Sequence, residues 1–154
     1  MKIRIELNES YEEPEVVIHC ATLTPEVIAL ENQLSGLHKE TEPQLLLYKD
    51  ETEYFVNIND ILFFETDSKC VQAHTAKEVF ETKHKLYELE NMLPTMFLRI
   101  SKSSIVNCSK IYSVNRNLTA ASEIAFTGTH KTVFASRSYY KALKAKLEEK
   151  RLSL

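Results

Sequence analysis

The sequence predicts a mainly β domain, interrupted by one short helix, closed by a C-terminal helix and preceded by a small β-β-α unit. Three observations predict it. From about Gln44 onward, short β-rich runs recur at close intervals with turn residues between them. Two stretches break that rhythm with apolar residues at three- and four-residue spacing, the period of a helix. A polar segment, His38-Lys39-Glu40-Thr41-Glu42-Pro43, separates the first unit from the rest and places the boundary between residues 1–42 and 43–154.

In the first unit, Ile3, Ile5 and Leu7 alternate with polar residues, as in a half-buried strand. Beyond Asn8-Glu9-Ser10 and an acidic turn around Pro14, Val16-Val17-Ile18 is a second β-rich run. Thr24 is placed to cap a helix whose first turn holds Pro25, where a missing N–H costs nothing. Val27, Leu30, Leu34 and Leu37 then form one apolar stripe, with Gly36 near its end.

In the second unit, strands are expected at 45–48, 54–58, 61–65, 71–75, 79–82, 97–100, 111–114, 123–126 and 132–135. Asp67-Ser68-Lys69, Asn115-Arg116-Asn117 and Thr127-Gly128-Thr129 supply turn chemistry. The interrupting helix carries Leu86, Leu89 and Leu93 and stops before Pro94. The closing helix starts near Ser138. It places Tyr139 or Tyr140, Leu143 and Leu147 on one side and Lys141, Lys144 and Lys146 on the other.

Composition narrows the function classes. A chain of 154 residues fits one domain with a short appendage, and 44% apolar with 27% charged residues is ordinary for a soluble globular protein. No apolar run approaches the roughly 20 residues that span a bilayer. The start, Met1-Lys2-Ile3-Arg4-Ile5-Glu6, lacks the apolar stretch of a signal peptide, so the expected location is the cytoplasm. Cys20, Cys70 and Cys108 are too widely spaced for a zinc ribbon or a redox pair and are expected as reduced thiols. With only Gly36 and Gly128, neither a P-loop nor a dinucleotide fingerprint can be built. His19, His38, His74, His84 and His130 are scattered singly. The expectation is a protein with no catalytic residues, cofactor, metal or small-molecule substrate.

Charge is distributed unevenly. Residues 1–98 carry 8 Lys+Arg against 19 Asp+Glu, a net of −11, and residues 99–154 carry 11 against 3, a net of +8. A basic end of this kind can meet a polyanion, or it can pair with the acidic end of its own chain. Two clusters inside the basic end favour the polyanion. In Phe97-Leu98-Arg99-Ile100-Ser101-Lys102-Ser103-Ser104-Ile105-Val106-Asn107, a strand-like start passes into cations and hydroxyls suited to phosphate oxygens or guanine edges. In Ala135-Ser136-Arg137-Ser138-Tyr139-Tyr140-Lys141, similar groups stand at a helix start whose free N–H groups favour an anion. Either cluster alone is better read as a solvated turn with a helix cap, and the two together tilt the reading toward nucleic acid.

Ile61-Leu62-Phe63-Phe64-Glu65, the polar turn with Lys69, Leu86…Leu89-Glu90…Leu93-Pro94, the 97–107 stretch and Ala135-Ser136-Arg137-Ser138-Tyr139 stand in an order that resembles LytTR DNA-binding domains, from about residue 44 to 150. The resemblance implies an elongated domain of small antiparallel sheets whose loops enter successive major grooves of double-stranded DNA. It assigns contact regions to the turn around Lys69-Cys70-Val71, to Ser101-Lys102-Ser103 and to Arg137-Ser138. Lys102 and Arg137 are expected as the main groove-facing cations, supported by Lys69, Arg99, Ser101, Ser103 and Ser138. Relatives often carry His in place of Ser101, a second Arg in place of Ser138, and a polar reader where Cys70-Val71 lies.

The layout is similar to short LytTR regulators without a receiver domain, and residues 1–42 contain no Asp to phosphorylate. Such regulators imply a homodimer on direct-repeat or paired sites and a membrane-protein antagonist, with the acidic first unit as the surface for dimerisation or partner binding. A second reading is a LytTR-derived protein-interaction module with little or no specific DNA binding, motivated by the serines at 101 and 138. RNA binding ranks lower, because the aromatics form no RNP-like pair.

Overall fold

Two residue pairings decide the architecture: alternation gives each strand an apolar face, and antiparallel neighbours supply its hydrogen bonds. The computed structural model describes residues 2, 4–10, 12, 15–38 and 42–152. The chain divides into two units, Met1–Glu40 and Thr41–Leu154.

The first unit contains helix α1, Pro25–His38. Thr24 opens it as expected: its Oγ1 accepts the Val27 N–H at 3.4 Å and its carbonyl accepts Ile28 N–H at 3.0 Å. Val27, Leu30 and Leu34 are half-buried, and the side chain of Leu37 lies outside the described set. The two strands expected ahead of this helix are not formed in the described residues: 4–8 and 15–20 are irregular, while Ile3 and Pro14 fall outside the description. Alternation marks a face, but a strand also needs a paired neighbour. Ile5 and Leu7 are accordingly 82% and 94% exposed.

The second unit is antiparallel throughout. Strands β1 (Gln44–Lys49), β2 (Thr52–Asn57), β3 (Ile61–Thr66), β4 (Val71–Thr75), β5 (Val79–Thr82), β6 (Phe97–Arg99) and β7 (Ser104–Asn107) form one sheet in the order β2-β1-β5-β4-β3-β7-β6. Strands β8 (Ile111–Asn115), β9 (Ser122–Phe126) and β10 (Thr132–Ala135) form a second sheet in the order β10-β9-β8. Helix α2, Leu86–Met92, interrupts and α3, Arg137–Leu152, closes the chain. Strand β7 has no counterpart among the strands expected from sequence. All four of its residues are buried, so it shows no alternation.

Strand β3 feeds two cores. Ile61 and Phe64 join Leu47, Ala73, Leu89 and Ile105 on one side, whereas Leu62 and Phe63 join Val106, Ile124, Val133 and Leu143 on the other. Consecutive residues reach the same side because the β3–β4 register shifts between Ile61 and Phe63. Helix α2 is held on the first core by Leu86 and Leu89, and its start is fixed by Glu88, which accepts the Lys85 N–H at 3.0 Å. Helix α3 is held on the second core by Leu143, with Leu147 packed against it. Full burial of a side chain of this size contributes roughly 1.5–3 kcal/mol. Lys146, expected on the solvent face with Lys141 and Lys144, is instead half-buried: at i+3 from Leu143 it shares the buried side.

Two similar junctions turn the chain from strand to strand. Val56-Asn57-Ile58-Asn59-Asp60-Ile61 and Val106-Asn107-Cys108-Ser109-Lys110-Ile111 each pass from a strand through a short 3-10 turn into the next strand. In both, the Asn side chain caps the turn, accepting Asn59 N–H at 2.9 Å and Ser109 N–H at 3.1 Å. Asn107 is fully buried and also donates its Nδ2 to the Ile61 carbonyl at 2.9 Å, tying the two junctions together. Elsewhere Gly128, at φ 77°, allows the β9–β10 turn. Next to it Lys131 donates to the Thr75 and Glu78 carbonyls at 2.8 and 2.9 Å, fastening that hairpin to the β4–β5 turn.

His74 stacks on Phe63 at 4.3 Å between ring centroids, and its Nε2 is buried without a hydrogen-bond partner. Burial, reinforced by the Lys131 ammonium, pushes its pKa down from 6.5 to about 4.

Asn107→Ala strands the buried Ile61 carbonyl and Ser109 N–H, and should cost about 1–3 kcal/mol by urea denaturation. His74 generates a pH effect of definite sign. Below pH 6.5 the unfolded chain takes up a proton that the folded chain refuses until about pH 4, so this contribution to stability is lost as pH falls through that window. His74→Phe keeps the ring stack and removes the proton site. Its urea midpoint should therefore fall less between pH 7 and pH 5 than that of the parent; an equal fall would show that His74 is not the titrating group.

Candidate nucleic-acid interface

The three segments marked by sequence are joined by main-chain hydrogen bonds. The end of β3 is tied to the 101–103 loop by Thr66 N–H to the Ser103 carbonyl at 2.8 Å. The entrance to α3 is tied to the start of the same loop by Ser136 N–H to the Ile100 carbonyl at 2.8 Å. The loop closes on itself through Ile100 N–H to the Ser104 carbonyl at 3.0 Å. The 101–103 loop is therefore central, with the β3–β4 turn bonded on one side and the α3 start on the other.

Each segment has a local reason for its shape. The β3–β4 turn is closed by Asp67 N–H to the Cys70 carbonyl at 2.9 Å, and Asp67 Oδ1 accepts Ser68 N–H at 2.7 Å. Lys69 is exposed at this turn. Cys70 is half-buried, and burial followed by the Glu81 and Asp67 carboxylates raises its thiol pKa, so it is not a poised thiolate. Val71 is buried in the first core and is not presented outward.

In the central loop, Ser101 Oγ accepts Ser103 N–H at 3.1 Å and lies 3.3 Å from Ser103 Oγ. Arg99 is the brace. Its Nε donates to the Ser101 carbonyl at 2.6 Å, one terminal nitrogen donates to the Lys102 carbonyl, and the other pairs with Glu90 at 3.1 Å. The Arg99 side chain is only 19% exposed. Its guanidinium fork is thus engaged in shaping the loop, which leaves Ser103 and Lys102 exposed beside half-buried Ser101.

At the α3 start, Arg137 and Ser138 are exposed and the first turn contains no acidic residue. Ser136 Oγ lies 3.3 Å from Ser138 Oγ, and free N–H groups at this helix end favour an anion. Among the described residues, Lys69, Lys102 and Arg137 have no carboxylate within ion-pair distance. Three exposed cations thus stand on segments bonded to one another, with serine hydroxyls between them.

Folding adds one cation that sequence reasoning treated only as part of a turn. Arg116, on the β8–β9 loop, holds its guanidinium 5.0 Å from the ring centre of Tyr140 in the first turn of α3. Ala120 and Ala121 of that loop line a shallow recess with Ser136, Arg137 and Ser138. No period or spacing in the sequence signals this approach, because it joins segments about twenty residues apart.

Among the described residues, no group of three or more His, Cys, Asp or Glu is arranged to hold a metal ion. No described helix is long and apolar enough to cross a membrane.

Residues 51–148 match the family described as LytTr DNA-binding domain. Over 147 residues, 96% of this chain and 98% of the relative, the sequence is 32% identical to an uncharacterized HTH-type transcriptional regulator of Staphylococcus aureus strain NCTC 8325. The counterpart in strain MRSA252 is 31% identical over the same span. The structure is similar to the LytTr DNA-binding domain of a protein described as a methyl-accepting/DNA response regulator from Bacillus cereus. That similarity has a TM-score of 0.63 at 21% identity and covers 68% of this chain and 96% of that one. The HTH label belongs to those relatives; among the described residues here, no two helices are joined by a short turn.

If Arg99 braces the central loop, Arg99→Ala should speed amide hydrogen exchange at Ser103 and Thr66, whose N–H groups bond Ser101 Oγ and the Ser103 carbonyl, while leaving the β9 and β10 amides protected. Unchanged exchange at those two residues would remove the bracing role.

Proposed function

The chain belongs to the family of LytTr DNA-binding domains, and we propose that it is a sequence-specific, double-stranded-DNA-binding transcription regulator whose three bonded segments address successive major grooves. It is a DNA-binding regulator and not an enzyme. The observation that carries the finer reading is the hydrogen-bonded array of exposed Lys69, Lys102 and Arg137, none with a carboxylate partner among the described residues. A cation without an internal partner is available to displace counterions from phosphate or to fork onto a guanine edge.

Roles follow from reach and engagement. Lys102 and Arg137 are the groove-facing cations, and Lys69 adds a third at the β3–β4 turn. Ser101, Ser103 and Ser138 offer hydroxyls to phosphate oxygens. Arg99 acts through the loop that it braces. The serines at 101 and 138 are short, neutral donors, which gives this chain a base preference unlike that of a relative with His and Arg there.

Residues 1–42 form the part of this reading that reaches beyond DNA. They carry nine Glu against three Lys+Arg, so they are not a polyanion-binding surface. Their exposed Ile5, Leu7, Val16 and Val17 support contacts to a second copy on direct-repeat or paired sites, or to a membrane-protein antagonist.

Fluorescence-anisotropy titration against a duplex from the protein's own upstream region and a random duplex tests the proposal. Arg137→Ala should cost roughly 1–3 kcal/mol and relax preference at one base position. Lys102→Ala should lower the slope of log affinity against log salt by about one. Parent protein that binds the upstream duplex no more tightly than the random one, at equal salt, would replace this reading with the interaction-module reading.

A further inference from the structure

Arg116 is a basic residue that the reading above does not use. We propose that it is a further contact to the DNA phosphate backbone, extending the binding face from the α3 start onto the β8–β9 loop. The inference rests on the DNA-binding reading and adds a fourth chain segment to it.

Four observations carry it. Arg116 is exposed, and among the described residues no carboxylate lies within ion-pair distance of it, in contrast to Arg99 with Glu90. Its guanidinium is held 5.0 Å from the centre of the Tyr140 ring, and Tyr140 is one helical turn from Arg137. Among the described residues the Arg116 side chain has no hydrogen-bond partner, so the N–H groups of its planar fork are free for phosphate oxygens.

The loop carrying it is shaped by its own side chains. Asn117 Oδ1 accepts Thr119 N–H at 3.0 Å, Thr119 Oγ1–H at 3.1 Å and Ala120 N–H at 3.2 Å. Asn117 N–H in turn donates to the buried Ser122 hydroxyl at 3.1 Å. A loop held this way loses little freedom when a ligand arrives.

The surface beside Arg137 is low: Ala120 and Ala121 of the Arg116 loop line the recess with Ser136, Arg137 and Ser138. Arg116 itself lines a second recess with Leu118, Glu123 and Phe134, and Ala121 is common to both. Arg116 belongs to none of the three segments bonded through Thr66, Ile100 and Ser136, and it is aligned on a helix flank instead. This placement assigns it to phosphate, which carries no sequence information, rather than to a base edge.

The test uses the full chain in anisotropy titrations across a range of salt, with upstream and random duplexes, and includes Lys102→Ala and Arg137→Ala as references. Arg116→Gln should weaken binding to both duplexes by the same factor and lower the salt slope by about one. Arg116→Lys should keep the parent slope. A parent-like Arg116→Gln beside weakened Lys102→Ala and Arg137→Ala would overturn this inference alone. Weakening confined to the upstream duplex would overturn the backbone assignment. If all three variants bind like the parent, this inference and the assignment of the binding face to Lys102 and Arg137 both fail. A thermal melt of Arg116→Gln guards against misfolding, and a melt lowered together with an Arg116→Lys slope reduced by one would also overturn the proposal.

Discussion

Burial of β3 on both faces is the constraint on which the second unit depends. A strand with two dry faces must supply apolar groups to both while keeping its hydrogen bonds paired. The register shift after Ile61 meets the first demand by sending Leu62 and Phe63 to one core and Ile61 and Phe64 to the other. Pairing with β4 on one edge and β7 on the other meets the second. Because β3 ends at Thr66, whose N–H holds the Ser103 carbonyl, the same strand that joins the cores also sets the height of the central loop. The proposed DNA face is a continuation of core packing.

The basic end of the chain divides its cations between two kinds of work. Arg99, Lys131 and Lys150 direct their nitrogens at backbone carbonyls: the 101–103 loop, the β4–β5 turn, and Cys108 with Ser109. Each bonds carbonyls at a chain reversal. Lys69, Lys102, Arg137 and Arg116 are exposed, and of these Lys102 lies on a loop that such a brace shapes. A net charge of +8 over residues 99–154 therefore overstates the charge offered to a ligand. The acidic residues are likewise divided, since Glu78, Glu88 and Glu90 hold Lys49, the Lys85 N–H and Arg99.

The two Val-Asn-…-Ile junctions show one local solution used twice. A strand that must turn out of a sheet leaves N–H groups unpaired, and an Asn side chain at the exit supplies an acceptor for the first of them. At half-exposed Asn57 the amide nitrogen donates to the Glu42 carboxylate. At Asn107 the side chain is buried, and its amide nitrogen donates to the Ile61 carbonyl of the other junction.

Much of this was readable along the chain. The nine expected strands, both helices of the second unit and the Thr24 cap depend on neighbours within a few residues, and short-range periodicity reports such neighbours directly. The family order placed the segments with Lys69, Lys102 and Arg137. What periodicity could not report is what lies opposite a segment. Strand β7 went unmarked because burial on both faces erases alternation, whereas residues 4–8 alternate without a described partner strand. Which groups Arg99 bonds, whether Lys146 faces water, and whether Arg116 approaches α3 were decided only by tertiary structure. Each depends on which carbonyl, carboxylate or ring a distant segment brings within hydrogen-bonding or stacking range, and that distance is a property of the packed fold.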